Sequence, residues 1–305
     1  WTVLSSTAAS NVLTRRSQAI ETLGAATVLC TDKTGTLTHN RMTVARLCAL
    51  GVRYDVDGRQ RELPEELHPI VEYAILASPS DPFDPMEKAM KELGTRTLAN
   101  TEHIHNDWTL VREYPLSEKL LAMSRVWEHR NGTSYVIAAK GAPEAIADLC
   151  HMPDCDQDSL KREIDSLAND GLRVIGVAAA EFEKVELPEI QHDFTFKFLG
   201  LLGLHDPVRE NVPEAVALCK DAGIRIIMIT GDYPGTARNI AEKIGLDCRE
   251  GLITGAELDA MTDEELKDRI VDLTIAVTEK IIQEKYTESD DRRLIGDFLE
   301  GLKKQ

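Results

Sequence analysis

Apolar and polar positions alternate along this chain in blocks whose period changes twice. "TRRSQAIETLG" (Thr14 to Gly24) has helix-like apolar spacing and a terminal Gly suited to a C-cap. "ATVLCT" (Ala26 to Thr31) follows as a short apolar strand that ends in a polar, Gly-bearing loop beginning at Asp32. Far downstream, "KFLGLLGLHDP" (Lys197 to Pro207) reads as another buried strand. "NVPEAVALCKDAG" (Asn211 to Gly223) reads as a helix with Pro in its first turn and Gly at its end. "IRIIMITGD" (Ile224 to Asp232) is a continuous apolar strand ending in Thr-Gly-Asp, and "GTARNIAEKIGL" (Gly235 to Leu246) is the next helix. Strand, helix, strand, helix predicts a parallel sheet of α/β type. The polar loops at Asp32 and Thr230 both follow strand C-termini, where open α/β sheets hold their ligands.

Between these halves the pattern changes. "LLAMSRVWEH" and "TSYVIAAK" follow one another as a hairpin, with "NGT" (Asn131 to Thr133) as its turn. Alternation places Trp127 in the core. The helical stretches "DPMEKAMKELG" and "PEAIADLC" flank this hairpin. The middle of the chain is therefore expected to be an α+β domain inserted into the α/β one, with limits at 1–44, 45–197 and 198–268. The tail 269–305 reads as two amphipathic helices separated by "TESDD", with no further motif.

The 305 residues, 43% of them hydrophobic, suffice for two domains. A formal net charge of −17 argues against DNA or RNA as partner, because nucleic-acid binders need basic patches to neutralise phosphates. The six cysteines are scattered, several in apolar contexts, which fits reduced thiols in a cytosolic setting. "CHMPDC" (Cys150 to Cys155) has no second ligand pair at zinc-site spacing and reads as a surface loop. No window approaches the roughly 20 apolar residues of a membrane span.

The chemistry sits in "CTDKTGTLT", Cys30 to Thr38. An aspartate at a strand end can act as a nucleophile, dividing phosphoryl transfer into two steps through an aspartyl phosphate. Such chemistry needs positioning and charge neutralisation. A magnesium ion would bridge Asp32 and the phosphate, while backbone N–H groups cradle phosphate oxygens. Thr230 in "TGD" is placed to hydrogen-bond the same phosphate.

"DKTGTLT" resembles the phosphorylation motif of P-type ion-pumping ATPases, members of the haloacid-dehalogenase-like superfamily. "KGAPE" (Lys140 to Glu144), "DPVR" (Asp206 to Arg209) and "MITGD" (Met228 to Asp232) resemble further motifs of that family, in family order. "DPFDPMEKAM" and "GLRVIGVAA" resemble nucleotide-domain segments of its calcium and proton pump branches. The resemblance runs from about Val12 to Lys267. It implies an α/β fold: a Rossmann-like, haloacid-dehalogenase-type phosphorylation domain with an inserted α+β nucleotide-binding domain. The implied substrate is ATP with Mg2+, phosphorylating Asp32, with Lys33, Thr34 and Thr230 around it and Asp32 and Thr34 on the metal. Soluble phosphatases of the superfamily carry a second aspartate where Thr34 stands, and threonine cannot activate water near neutral pH, so the aspartyl phosphate should persist.

For the inserted domain the resemblance implies Lys140 and Gly141 at the rim of the adenine pocket, Glu87 near the adenine amino group, and Arg173 on the phosphates. Tyr114 in "REYPLSEK" is chosen as the ring that stacks on adenine, with Lys119 as a further contact. Asp206 and Arg209 belong to the hinge and nucleotide site, joined by Gly231 and Asp232.

Two expected segments do not occur. No "GDGVND"-type motif supplies the last magnesium carboxylate, and no "PEQK"-type segment supplies the lysine for the bound phosphoryl group. The chain is therefore expected to be an excised piece of the cytoplasmic face of a membrane pump, beginning where the fourth membrane helix would end. It should bind ATP but turn over poorly. In the full protein the further partners would be a transported cation and the membrane domain. The alternatives are a soluble haloacid-dehalogenase-like phosphatase and a non-catalytic nucleotide-binding module.

Overall fold

The computed structural model describes residues 26–49, 51–56, 62–99, 101–105, 107–117, 119–129, 132–246, 251–262 and 264–265. The helix expected at Thr14–Gly24, Asn131 of the hairpin turn, and the tail 269–305 lie outside the described residues. The chain divides into a larger unit, 34–209 with 230–243, and a smaller one made of 1–33, 210–229 and 244–305.

The larger unit is built on a seven-stranded sheet. Its strands are β2 (Thr43–Ala49), β3 (Val52–Asp55), β4 (Thr109–Tyr114), β5 (Ala122–Glu128), β6 (Ser134–Gly141), β7 (Arg173–Glu183) and β8 (Lys197–His205). They lie in the order β3-β2-β8-β7-β6-β5-β4, and every pairing is antiparallel. The expected hairpin is present as β5 and β6, with Ala122↔Gly141 at one end and Glu128↔Tyr135 at the other.

β8 departs from the parallel-sheet expectation. It lies between β2 and β7, so the sheet extends past both expected limits of the inserted domain. Leu201, Leu202 and Leu204 are all buried. A continuous apolar run reports burial on both faces of a sheet and carries no information about partner direction.

Helices cover both faces. α1 (His68–Leu76) and α2 (Pro85–Thr97) pack Ile70, Val71, Ala74, Met90 and Leu93 against Leu47, Val177 and Leu202. α2 starts sharply because the Asp84 carboxylate accepts from the Met86 N–H at 2.7 Å and Pro85 occupies the first turn. On the opposite face, α3 (Pro143–Leu149) and α4 (Asp154–Asn169) bury Ile146 and Leu149 in one cluster and Leu160, Ile164 and Leu167 in another. α6 (Pro234–Lys243) packs on α4, where Thr236 donates to the Leu172 carbonyl at 2.7 Å. Its amphipathic spacing was compatible with the next layer of a parallel sheet, and tertiary packing assigns it to this unit instead.

In the smaller unit, β1 (Val28–Asp32) pairs in parallel with β9 (Arg225–Ile229), from Val28↔Arg225 to Asp32↔Ile229. α5 (Val212–Asp221) packs against β9, and Lys220 donates to the Gly245 carbonyl at 2.6 Å. α7 (Gly255–Ala260) opens on a capping box formed by Thr254 and Glu257. No helix of the described residues is long and apolar enough to cross a membrane.

Candidate functional site

Register decides which side chains meet. Arg125 pairs with Ala138 and Met123 with Lys140, so Arg125, Trp127, Ala138 and Lys140 share the sheet face that α1 approaches. The small Ala138 lets the end of α1 come close, and it packs with Leu76, Ala77 and Trp127. The last carbonyls of a helix have no intrahelical partners and carry partial negative charge. Here the sheet supplies donors for them. Trp127 Nε1 donates to the Leu76 carbonyl at 2.9 Å, and Arg125 Nη1 donates to the Ser78 carbonyl at 2.8 Å. Ser78 Oγ donates back to the Ala74 carbonyl at 2.7 Å.

Lys140 completes this cluster. Its Nζ lies 2.7 Å from Glu87 Oε1, on the first turn of α2, and 2.6 Å from Ser78 Oγ. The two side chains of the pair are only 8% and 13% exposed. Burial pulls the Lys140 ammonium below its ordinary value, and the hydrogen bond and charge of Glu87 oppose that shift. Arg125 is paired in the same way with Glu113 of β4. Glu113, Arg125, Ser78, Lys140 and Glu87 thus form one continuous polar chain beneath α1 and α2. Sequence reasoning named only Lys140 and Glu87. The available signal for Arg125 was its even spacing from Trp127.

Gly141 follows directly and has a separate reason to be glycine. A Cβ there would fall 2.3 Å from the Leu121 carbonyl oxygen and 2.5 Å from Ala122 Cα. The close approach packs the backbone of Leu121 and Ala122 onto Gly141, beside Lys140. It also brings the β4–β5 connection alongside, where Leu116 and Leu121 are 58% and 52% exposed on either side of Lys119, itself exposed.

Tyr114 does not join this cluster. It pairs with Ser124, which pairs with Ala139, and that parity places Tyr114 on the face opposite Lys140. Its ring is 6% exposed, packed edge-on to Phe194 at 5.5 Å, and its hydroxyl donates to the Pro188 carbonyl at 2.6 Å. The ring chosen to stack on a base is a core side chain. A Tyr114→Phe chain is expected to lose about 1 kcal/mol of stability through the missing hydrogen bond. Urea melts check that loss, and calorimetry of ATP binding by the same variant should show no change.

Arg173 opens β7 on the same face as Ile175 and Val177, and Val177 pairs with Lys140. Four strand residues separate Arg173 from Val177, about 13 Å along the sheet.

The motif loops are tied to each other within the larger unit. Thr38 Oγ1 donates to Asp206 Oδ2 at 2.6 Å, and the Arg41 N–H donates to Asp206 Oδ1 at 3.2 Å. The His39 N–H reaches the Pro207 carbonyl and the Arg209 N–H reaches the Leu37 carbonyl, each at 3.0 Å. Arg209 Nη2 donates to the Gly35 carbonyl at 2.9 Å. Asp206 is buried and both its oxygens serve the clip, so here it organises "TGTLT". Thr34 (ψ 124°) and Gly35 (φ 77°, ψ −19°) have type II turn geometry, which needs a positive φ at the second position.

Asp32 ends β1 in the smaller unit and is exposed, while the next residue, Lys33, is buried. Thr230, Gly231 and Asp232 form a tight turn in the larger unit, with the Asp232 N–H donating to Thr230 Oγ1 at 3.2 Å.

Residues 83–211 match the family described as P-type ATPase, cytoplasmic domain N. That segment holds Glu87, Arg125, Lys140, Gly141 and Arg173. The chain is 35% identical to plasma membrane calcium-transporting ATPase 4 of Homo sapiens, over 77% of its own length and 22% of that protein. It is 31% identical to calcium-transporting ATPase 1 of Bacillus cereus, over 85% of its length and 31% of the relative. With the sodium/potassium exporting P-type ATPase cta3 of Schizosaccharomyces pombe it shares 28% identity, over 84% and 31%. The chain thus spans about a third or less of these relatives. Similarity of this extent, together with the matched domain N, makes the chain a member of the P-type cation-transporting ATPases.

Proposed function

We propose that the larger unit binds ATP at the Lys140–Glu87 pair, where β6 ends beside α1 and α2, for use in phosphorylating Asp32. The observation that carries this reading is the buried Lys140–Glu87 pair at 2.7 Å, at the end of β6. A cation and a carboxylate held together in a dry site give a purine both a donor and an acceptor, and a perturbed buried group of this kind is a functional-site candidate. With Tyr114 on the other face, the apolar platform for the base falls to Leu116 and Leu121. Arg173 lies about 13 Å along the same face, beyond Val177 and Ile175 of the core, and its assignment to the phosphates rests on the family motif alone.

In this reading a carboxylate oxygen of Asp32 attacks the γ-phosphorus of ATP. The bond from that phosphorus to the bridging oxygen breaks, and ADP leaves with the electron pair. The donor chemistry fits magnesium, since the Asp32 carboxylate and the Thr34 carbonyl are hard oxygen donors. Bound there, the ion would neutralise phosphate charge. The clip between Asp206, Arg209 and the "TGTLT" loop holds the second half of the motif in shape. The phosphorylation domain is read as haloacid-dehalogenase-type, resting on the parallel β1–β9 pair and the motif order. Coupling to cation movement belongs to the full-length protein, at the cytoplasmic face of a membrane.

Calorimetric titration of the chain with ATP, with and without magnesium, tests the nucleotide site. Micromolar-to-millimolar binding that weakens several-fold in Lys140→Ala is the expected result. A folded chain that takes up no heat with ATP would sink the reading.

A further inference from the structure

The polar chain beneath α1 contains one member, outside every motif, that touches both of its cations. Ser78 lies just past the C-terminus of α1 and is buried. Its single hydroxyl proton is committed to the Ala74 carbonyl at 2.7 Å, so toward Lys140 the oxygen acts purely as an acceptor, at 2.6 Å. Its own carbonyl takes Arg125 Nη1 at 2.8 Å. One residue therefore gathers two buried cations, one from β6 and one from β5.

An ammonium has three donors. Ser78 and Glu87 use two of those on Lys140, at 2.6 and 2.7 Å. The flexible four-carbon stem of a lysine does not select one direction for the third. Two fixed acceptors do. Arg125 is held off by its pairing with Glu113 and by the Ser78 carbonyl, so it does not compete for Glu87. Arg125 Nε has no hydrogen-bond partner. Burying two cations with a donor unmet costs stability, and such costs persist at sites that serve a ligand.

We propose that Ser78 is the positioning residue of the nucleotide site, fixing the Lys140 ammonium so that its remaining N–H meets an acceptor on the bound nucleotide. This rests on the reading of the site as one for ATP. Ser78 itself does not contact the nucleotide. It acts through Lys140, and its carbonyl keeps the second cation in place.

The test uses Ser78→Ala and Ser78→Thr, with two readouts on each. The first is ATP affinity by calorimetry. The second needs no nucleotide: the pH dependence of Lys140 acylation by acetic anhydride, followed by mass spectrometry. Ser78→Ala is expected to weaken ATP binding roughly tenfold, in line with loss of a hydrogen bond to a charged group. It should also move the midpoint of Lys140 acylation to lower pH, because the charged amine has lost an acceptor. Ser78→Thr, which keeps the hydroxyl, should restore both. A general loosening of α1 would lower the melting temperature of both variants without separating them in the acylation profile. If Ser78→Ala does not fold, Ser78→Cys, similar in size with a far weaker acceptor, is read in its place. Unchanged ATP affinity and an unchanged acylation midpoint in the hydroxyl-free variant overturn the proposal. Should the parent chain bind no ATP, the nucleotide reading falls, and the acylation profile still decides whether Ser78 holds Lys140.

Discussion

A Gly141→Ala chain is expected to be destabilised by about 3 kcal/mol, the upper end of what overpacking costs. The added methyl would stand 2.3 Å from the Leu121 carbonyl oxygen and 2.5 Å from Ala122 Cα. Both are backbone atoms of β5 and its entry, hydrogen-bonded to this same region through Ala142 N–H to Leu121 O at 2.8 Å. Neither can rotate away as a side chain would. The strain has to spread along β5 and β6, and it moves Lys140, the residue before. Urea denaturation should therefore show a lower midpoint with an unchanged slope, together with weaker ATP binding. A midpoint equal to that of the parent would mean the two strands separate there at little cost.

Removing the counter-charge should cost as much or more. Glu87→Ala leaves Lys140 buried with the neutral Ser78 as its hydrogen-bond acceptor among the described residues, and stranding one partner of a buried pair typically costs about 3–5 kcal/mol. Lys140→Met is expected to cost less, because Glu87 stands on the first turn of α2, where a helix N-terminus favours negative charge. The pH dependence has a definite sign. Burial already holds the Lys140 amine below its ordinary value in the folded chain, and losing Glu87 lowers it further. Between that lowered value and the unfolded value the unfolded chain binds more protons, so stability rises with pH across the window. The Glu87→Ala defect should be largest near neutral pH and shrink toward alkaline pH, where Lys140 is neutral when folded. Thermal melts of parent and variant across this range would show the gap narrowing. A gap that stays constant with pH would mean that Lys140 is not the stranded charge.

The Lys140–Glu87 pair and the Asp206–Arg209 clip have different physical roots. Lys140 and Glu87 come together by sheet register and the start of α2. Asp206 and Arg209 serve a clip whose other side is the loop after Asp32. Substitutions at Asp206 would thus disturb the shape of that loop, whereas substitutions at Lys140 act on the sheet face.

Local chemistry alone was enough for several elements. "DPMEKAMKELG" was legible as a helical stretch, and the Asp84 cap with Pro85 in the first turn accounts for where α2 starts. Alternation around "NGT" made β5 and β6 a hairpin, and it placed Trp127 inside. The parallel pairing of β1 and β9 was legible from two apolar runs that each end in a polar, Gly-bearing turn. Lys140 and Glu87 were each expected at the nucleotide site from the family resemblance, and their pairing came only with the structure. These are properties of residues within a few positions of each other, or of whole motifs.

Tertiary structure decided the rest. β8 reads as apolar on both faces whichever sheet it joins, and only its pairing with β2 and β7 showed which. α6 has an apolar side that fits more than one surface, and packing on α4 selected one. Tyr114 is an aromatic next to a motif, yet the register across the β4–β5 connection turned it to the face opposite Lys140, against Phe194. Parity in a sheet is set by pairing over many residues, and a shift of one reverses every side chain. Ser78 carries no motif at all. Its role exists only because the end of α1, the middle of β5 and the end of β6 meet at one point, which is a fact about distances in the folded chain and about no stretch of its sequence.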